Sequence, residues 1–213
     1  MKRSIEKLRQ EYGKRPILEE ELKSDPCATF LLWLKAAVQA EVMEPNGMVL
    51  STVSESAKPS SRMVLLKGVE DKKLVFYTNY KSRKGKQLVI HPYGSLTFWW
   101  KEIHRQVTIE GKVAKVSRSE SRDYFAKRPK GAQLAALASH QSDPLATRLE
   151  LEEEFYRLKA KYRGKEVPCP PSWGGYALTP DRFEFWQGRA DRLHDRFAYI
   201  CTNGEWLLTR LAP

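Results

Sequence analysis

Gly94-Ser95-Leu96-Thr97-Phe98-Trp99-Trp100-Lys101, a three-residue turn Glu102-Ile103-His104, and then Arg105-Gln106-Val107-Thr108-Ile109-Glu110-Gly111-Lys112-Val113-Ala114-Lys115-Val116 form the stretch that decides the fold. Apolar and polar residues alternate along both runs, the period of a half-buried strand. The same period extends back to Met48. Candidate strands are 47–53, 60–69, 73–79, 94–101 and 105–116. Turns at Glu55–Lys58, Glu70-Asp71-Lys72 and Glu102–His104 separate them. Lys81–Ile90 reads as a short helix between the third and fourth strands. Five closely spaced strands point to an antiparallel barrel and not to a parallel sheet.

The flanks read as helices. Asp25 as N-cap and Pro26 at N1 open a helix predicted over 26–42. Phe30, Trp33, Leu34, Ala37 and Val38 form its apolar face, and Pro45-Asn46-Gly47 ends it. Residues 1–24 are highly charged and read as a mobile arm with a short helix. Ser117-Arg118-Ser119-Glu120 is a capping-box pattern opening a helix to about Arg128. Residues 130–139 form a second short helix. Asp143-Pro144 repeats the N-cap/N1 device and predicts a long charged helix to about Tyr162. A proline-rich loop, Gly164 to Trp173, precedes strands at 175–178, 182–187, 194–200 and 205–210. The fold class is α+β: a β-barrel decorated by helices, one domain over 25–213 after the arm.

Composition narrows the function classes. The chain has 213 residues, 41% of them hydrophobic, enough for a core without disulfide staples. No apolar run approaches the length of a membrane span, and the N-terminus has no apolar h-region. Three widely spaced cysteines, Cys27, Cys169 and Cys201, offer no CxxC pattern, so neither structural zinc nor a disulfide framework is expected. A reducing cytoplasm is the simplest compartment. The net charge of +11 is compatible with nucleic acid, an anionic membrane or small anionic ligands. It is spread as pairs and triplets, which weakens the membrane reading. A basic barrel that binds RNA stays open on composition alone.

GxGxxG and GxxxxGK[ST] are both absent, so a bound phosphate would be held by Arg and Lys side chains. Arg62 and Lys67 end an apolar strand core, Ser61–Gly68. They are either the charged ends of an ordinary strand or two anion ligands on opposite faces, unless a bulge brings them together. In Tyr77–Lys86, Ser82 can cap a helix whose first turn carries Arg83 and Lys84. Cations there oppose the macrodipole, which makes sense if an anion shares the site; a solvated basic turn is the plain alternative. Tyr124 and Arg128 share a helix face at i and i+4, suited to a phosphate or to a cation–π pair. In Glu184–Arg196, an extended chain would put Arg192, His194 and Arg196 on one face. Either an anionic ligand faces them or Asp191 and Asp195 form a salt-bridged surface. His194 lacks the nucleophile elbow of a hydrolase triad. His91, His104 and His140 are isolated, so no metal site is expected. Trp99-Trp100 and Trp173 read as core or interface packing.

Together these residues resemble the pyridoxine/pyridoxamine 5′-phosphate oxidase family, FMN enzymes of vitamin B6 metabolism. The resemblance rests on Leu8-Arg9-Gln10-Glu11-Tyr12, Arg62–Lys67, Tyr77-Thr78, Ser82–Gly85, Arg105-Gln106-Val107, Tyr124…Arg128-Pro129, Ser139–Ser142, Ser172–Tyr176, Phe185–Gly188, Arg192–Arg196 and Arg210–Pro213. It runs from about residue 8 to the last residue. General FMN-binding split barrels resemble the middle of the chain; the Arg192–Arg196 and Arg210–Pro213 endings resemble the B6 oxidases in particular. A flavin- or haem-binding barrel without that activity is the runner-up.

The resemblance implies an FMN-binding split β-barrel homodimer, with FMN at the subunit interface and residues from about 170 to 213 serving dimerisation and substrate. It implies oxidation of pyridoxine 5′-phosphate and pyridoxamine 5′-phosphate to pyridoxal 5′-phosphate, with hydride passing from C4′ to flavin N5 and O2 reduced to H2O2. FMN would be held by Arg62, Met63, Val64, Leu65, Leu66, Lys67, Tyr77, Thr78, Arg83, Lys84, Gln106, Gln141, Ser142, Trp186 and Arg196. Arg196 and Gln106 would donate near the flavin N1/C2 carbonyl. Lys67, Tyr124 and Arg128 would meet the substrate phosphate. Arg192 and His194, the implied catalytic pair, would lie over the pyridine ring. Arg9 and Tyr12 would belong to an arm closing over the substrate. No metal, nucleic acid or membrane enters this reading. One position departs from the family pattern: Ala132 stands where a phosphate-binding Ser is usual.

Overall fold

A computed structural model of the chain describes residues 12–13 and 16–213. Arg9 lies outside the described residues. Along the chain run α1 (Pro26–Gln39), β1 (Gly47–Val53), β2 (Pro59–Leu65), β3 (Gly68–Glu70), β4 (Lys73–Asn79), α2 (Arg83–Ile90), β5 (Tyr93–Trp100), β6 (Arg105–Lys115), α3 (Arg118–Lys127), α4 (Lys130–Ala138), α5 (Arg148–Lys161), β7 (Trp173–Gln187), β8 (Asp195–Thr202) and β9 (Glu205–Leu211). The sheet order is β2-β1-β5-β6-β7-β4-β3, with β8 on β7 and β9 on β8. The β3–β4, β4–β7, β7–β8 and β8–β9 pairs are antiparallel.

The described residues form two compact units. One holds those up to Val49 with Ser95–Glu110 and Pro180–Pro213; the other holds Leu50–Gly94 and Gly111–Thr179. In the first, α1 starts at Asp25, whose carboxylate accepts from the Cys27 N–H at 3.0 Å. Phe30 is fully buried against Phe98, and Trp33 meets the edge of Phe185, with ring centroids 5.0 and 5.1 Å apart. Each such side chain contributes roughly 1.5–3 kcal/mol of burial. Ile17 is buried, and its N–H donates to Asp195 at 3.2 Å, so this part of the expected arm is docked.

In the second unit, Ser82 caps α2 by accepting from Gly85 N–H at 3.4 Å and donates to the Asn79 carbonyl at 2.6 Å. A Cβ on Gly85 would lie 2.2 Å from the Tyr80 carbonyl oxygen, so only glycine fits there. Ser117 caps α3 through the Glu120 N–H at 3.0 Å. Phe125, Leu134, Ala138, Leu158, Val167 and Trp173 form the core under α3, α4 and α5.

Four expected elements differ by more than a residue or two at their ends. The strand expected over 60–69 is broken at Leu66-Lys67. β2 and β3 sit at opposite ends of the sheet order, so the chain must leave one edge and join the other there. The strands expected at 175–178 and 182–187 are one element, β7. Its register with β4 ends at Leu178 and that with β8 begins at Arg182, and Pro180 falls in the gap between them. The helix expected from Asp143-Pro144 starts at Arg148, capped by Thr147 through the Glu150 N–H at 3.3 Å. Asp143 instead closes a turn, its N–H donating to the His140 carbonyl. Finally, α1 stops at Gln39, short of 42, because Glu41 turns into the left-handed region at φ 53°.

Candidate functional site

The Leu50–Gly94/Gly111–Thr179 unit contains a cavity of about 660 Å³. Ten of the residues expected at the site line it: Met63, Val64, Leu65, Lys67, Tyr77, Thr78, Lys84, Tyr124, Arg128 and Gln141. Ala132, Ala135 and Ala136 of α4 give it a small-residue wall. The break after β2 explains how Lys67 joins: it leaves the strand there, and its N–H bonds to the Val75 carbonyl at 2.8 Å.

Three cations in this unit have no carboxylate among their hydrogen-bond partners in the described residues. Lys84 is buried, and its Nζ donates to Thr78, Ser82 and Gln141 at 3.2, 3.4 and 3.2 Å. Burial, and then the Arg62 charge, push its pKa down to about 8. Arg62 donates to the Leu50 carbonyl, Thr52 and Ser60 at 3.1, 2.6 and 2.7 Å. Burial and the neighbouring Arg83 depress its pKa. Gln87 accepts from both Thr52 and Ser60, so one buried amide oxygen organises the arginine's partners. Arg128 has a buried Nη1 with no hydrogen-bond partner, and burial lowers its pKa too. Arg83 is exposed in the first turn of α2, Leu66 is buried, and Ser142 is exposed at φ 75°.

The cavity has an aromatic side. Tyr77 stacks on Tyr124 at 3.9 Å and 15°, and on Trp173 at 5.4 Å and 13°. Burial raises the Tyr77 pKa to about 12, so its phenol keeps its proton. A Cβ on Gly175 would come within 2.9 Å of the Tyr77 ring, which is why the ring can lie against β7.

The remaining expected residues belong to the other unit. Tyr12 packs edge-on against His104, Trp186 and His194, with centroids 5.1, 5.5 and 5.5 Å away. A Cβ on Gly188 would approach the Tyr12 ring to 2.7 Å. His194 Nδ1 accepts from the Arg189 N–H at 3.1 Å, leaving Nε2 as the donor of the neutral ring. Burial and Arg192 lower its pKa. His194, Leu193 and Arg210–Pro213 line a second cavity, of about 360 Å³. Gln106 lies half-buried on β6. Arg196 is not a free cation: it donates to Glu184 at 2.7 and 3.0 Å and to the Ala212 carbonyl at 2.8 Å.

The common strand face expected for Arg192, His194 and Arg196 does not exist. Ala190–Arg192 is a 3-10 turn with Asp191 at φ 55° and Arg192 at φ 64°, and β8 begins only at Asp195. Asp195 pairs with Arg189 and Arg210 at 2.9 and 3.1 Å, ties that hold the turn from both sides.

Residues 34–162 match the family model described as pyridoxamine 5′-phosphate oxidase, and residues 173–213 the one described as the pyridoxine 5′-phosphate oxidase C-terminal dimerisation region. The chain belongs to the pyridoxine/pyridoxamine 5′-phosphate oxidase family. It is 51% identical to the pyridoxine/pyridoxamine 5′-phosphate oxidase of Bacteroides thetaiotaomicron, over 99% of this chain and 100% of that one. With the one from Acaryochloris marina it shares 50% identity, over 99% and 96%. Among solved structures, PhzG from Burkholderia lata 383, in complex with tetrahydrophenazine-1-carboxylic acid, is 32% identical with a TM-score of 0.89, covering 94% of this chain and 99% of that one. An FMN-binding, pyridoxamine 5′-phosphate oxidase-related protein from Nostoc punctiforme reaches a TM-score of 0.70 at 16% identity, covering 89% and 98%, a likeness of fold. The fold is therefore the antiparallel FMN-binding split barrel, and FMN is the cofactor of this family of oxidoreductases.

The residues fit FMN and a phosphorylated substrate. A buried lysine bonded only to neutral groups, and a buried guanidinium N–H left unpartnered, are donor groups that two phosphates would satisfy. Three contributors were not singled out from sequence as site residues. Gln87 and Glu184 act on arginines from distant positions, and Trp173 reads as plain core. The sequence offered only position as a signal: Gln87 at helical spacing behind Arg83-Lys84, Trp173 within Ser172–Tyr176, and Glu184 at the head of Glu184–Arg196.

Proposed function

We propose that the chain oxidises pyridoxine 5′-phosphate and pyridoxamine 5′-phosphate to pyridoxal 5′-phosphate as an FMN-bearing homodimer, with FMN at the subunit interface. Lys84 carries the reading: a buried cation among neutral partners, beside Arg62, is arranged for a phosphate brought by a ligand. Arg62, Arg83 and Lys84 bind the FMN phosphate, with Thr78, Gln141 and Ser142 beside them. Met63, Val64, Leu65, Leu66 and Tyr77 flank the cofactor, while Gln106, Trp186 and Arg196 hold its ring. FMN, when bound, supplies the two-electron acceptor for C4′ oxidation and hands the electrons to O2, giving H2O2.

Lys67, Tyr124 and Arg128 bind the substrate phosphate. Arg192 and His194 lie over the pyridine, and Tyr12, packed against His194, closes above it. Burial and Arg192 disfavour the charged His194 ring and its Nδ1 accepts from the Arg189 N–H, so its Nε2–H donates to the ring's phenolic oxygen. Arg192 presses C4′ towards its acceptor, a positioning role. Ala132 lines the cavity without a hydroxyl, which weakens substrate affinity but spares activity. Three free cysteines suit a reducing cytoplasm, and no helix among the described residues is long and apolar enough to cross a membrane.

O2 uptake by the FMN-loaded protein on each substrate tests this. The expected result is uptake matched by pyridoxal 5′-phosphate formation. A yellow, FMN-loaded dimer with no uptake on either substrate would overturn the substrate assignment.

A further inference from the structure

We infer that Trp173 is a positioning residue of the phosphate subsite, a platform that sets the Arg128 guanidinium and the Tyr124 phenol. The inference rests on the reading of Arg128 and Tyr124 as phosphate ligands. The Arg128 guanidinium carbon lies 4.7 Å from the Trp173 ring centroid, inside cation–π range. The Tyr124 and Trp173 rings are 3° from parallel, with Tyr77 stacked close to both. Arg128 is therefore aimed by a ring and not by a carboxylate, which leaves its buried Nη1 for a ligand.

The platform is itself anchored. Arg118 donates to the Trp173 carbonyl at 2.6 Å and to the Cys169 and Pro170 carbonyls at 2.7 and 3.0 Å, fixing the entry to β7. On the opposite side, Gln133 donates to the carbonyls of Phe125, Ala126 and Arg128 at 3.1, 3.0 and 2.9 Å. That fixes the backbone between α3 and α4 from which Arg128 projects. A carboxylate partner for Arg128 would compete with a phosphate, whereas an indole face leaves its N–H groups available.

The test uses the FMN-loaded enzyme, with Trp173→Leu and Trp173→Phe beside the parent. Three quantities are measured: kinetics on pyridoxine 5′-phosphate, kinetics on pyridoxine, which lacks the phosphate, and binding of inorganic phosphate by calorimetry. Trp173→Leu is expected to raise KM for the phosphorylated substrate and the Kd for phosphate about tenfold each. Its kcat should stay within about twofold, and kcat/KM on pyridoxine should be unchanged. Trp173→Phe, which keeps a ring, should recover most of the loss, and it carries the test if the leucine variant does not fold. Parallel losses on both substrates, or unchanged phosphate binding, would show a merely structural role and overturn the inference. Tryptophan-dependent phosphate binding in a protein that oxidises neither substrate would uphold the inference and overturn the substrate assignment instead.

Discussion

Replacing Lys84 with Met should strengthen the apo protein and weaken its hold on FMN, two effects of opposite sign. In the apo fold the ammonium is buried among neutral groups, and its pKa falls from the ordinary 10.5 to about 8. At about 1.36 kcal/mol per pKa unit, that is roughly 3 kcal/mol against the charged form; solvent reaching the head group brings it nearer ~2 kcal/mol. Below pH 8 the lysine is protonated in both folded and unfolded states, so the penalty is fully present. Between pH 8 and 10.5 the folded state sheds its proton first, and the penalty fades. Removing the side chain leaves no orphan, because Thr78 donates to Gln141 directly at 3.1 Å. Apo Lys84→Met should therefore melt higher than the parent at pH 7, with the gain vanishing by about pH 10.5. FMN affinity should fall about tenfold or more, since a charge-assisted hydrogen bond is worth roughly 1.5–3 kcal/mol. In the parent, the bound phosphate favours protonated Lys84, so FMN affinity should decline as pH rises above about 8. Flavin fluorescence quenching from pH 7 to 10.5 and apo thermal melts read both effects. An apo variant less stable at pH 7, together with parent FMN affinity flat across that range, would refute the reasoning.

Ala132→Ser should restore a donor on the cavity wall and lower KM for pyridoxine 5′-phosphate by up to about tenfold; steady-state kinetics check it, and an unchanged or higher KM would count against the subsite. Arg192→Ala should cut kcat/KM by about a hundredfold while FMN absorbance and stoichiometry stay those of the parent; full activity would remove Arg192 from the site. The same variant should raise the His194 pKa, since Arg192 helps to depress it, and histidine-resolved NMR titration measures that directly. Gly188→Ala should displace the Tyr12 ring, which a Cβ would approach to 2.7 Å, and raise KM several-fold with FMN binding preserved. An unaltered KM would show that Tyr12 takes no part in closing over substrate.

Elements written in local physics were legible beforehand. Asp25-Pro26, Ser82 and Ser117 announced helix starts because a cap is a bond between near neighbours. β1 and β4 match their expected bounds, β1 because its burial alternates over seven positions and β4 because turn residues bound its short apolar run, Leu74–Tyr77. Asp143-Pro144 misled because the same pair suits a tight turn, and the His140 carbonyl claims the Asp143 N–H. Ten of the expected site residues line the larger cavity, which their spacing along the chain could not convey.

The chain's own residues determined an antiparallel α+β barrel, the helix caps, and a surplus of cations spread along the chain as pairs and triplets. Tertiary structure alone decided which cations lack a carboxylate, that Arg196 is held by Glu184, that Arg192 sits in a left-handed turn, and that Trp173 carries Arg128. Caps and alternation are interactions between neighbours in sequence, so they are written there. Desolvation, ion pairing and ring stacking depend on residues tens of positions apart, and they exist only once the sheet has brought those residues together.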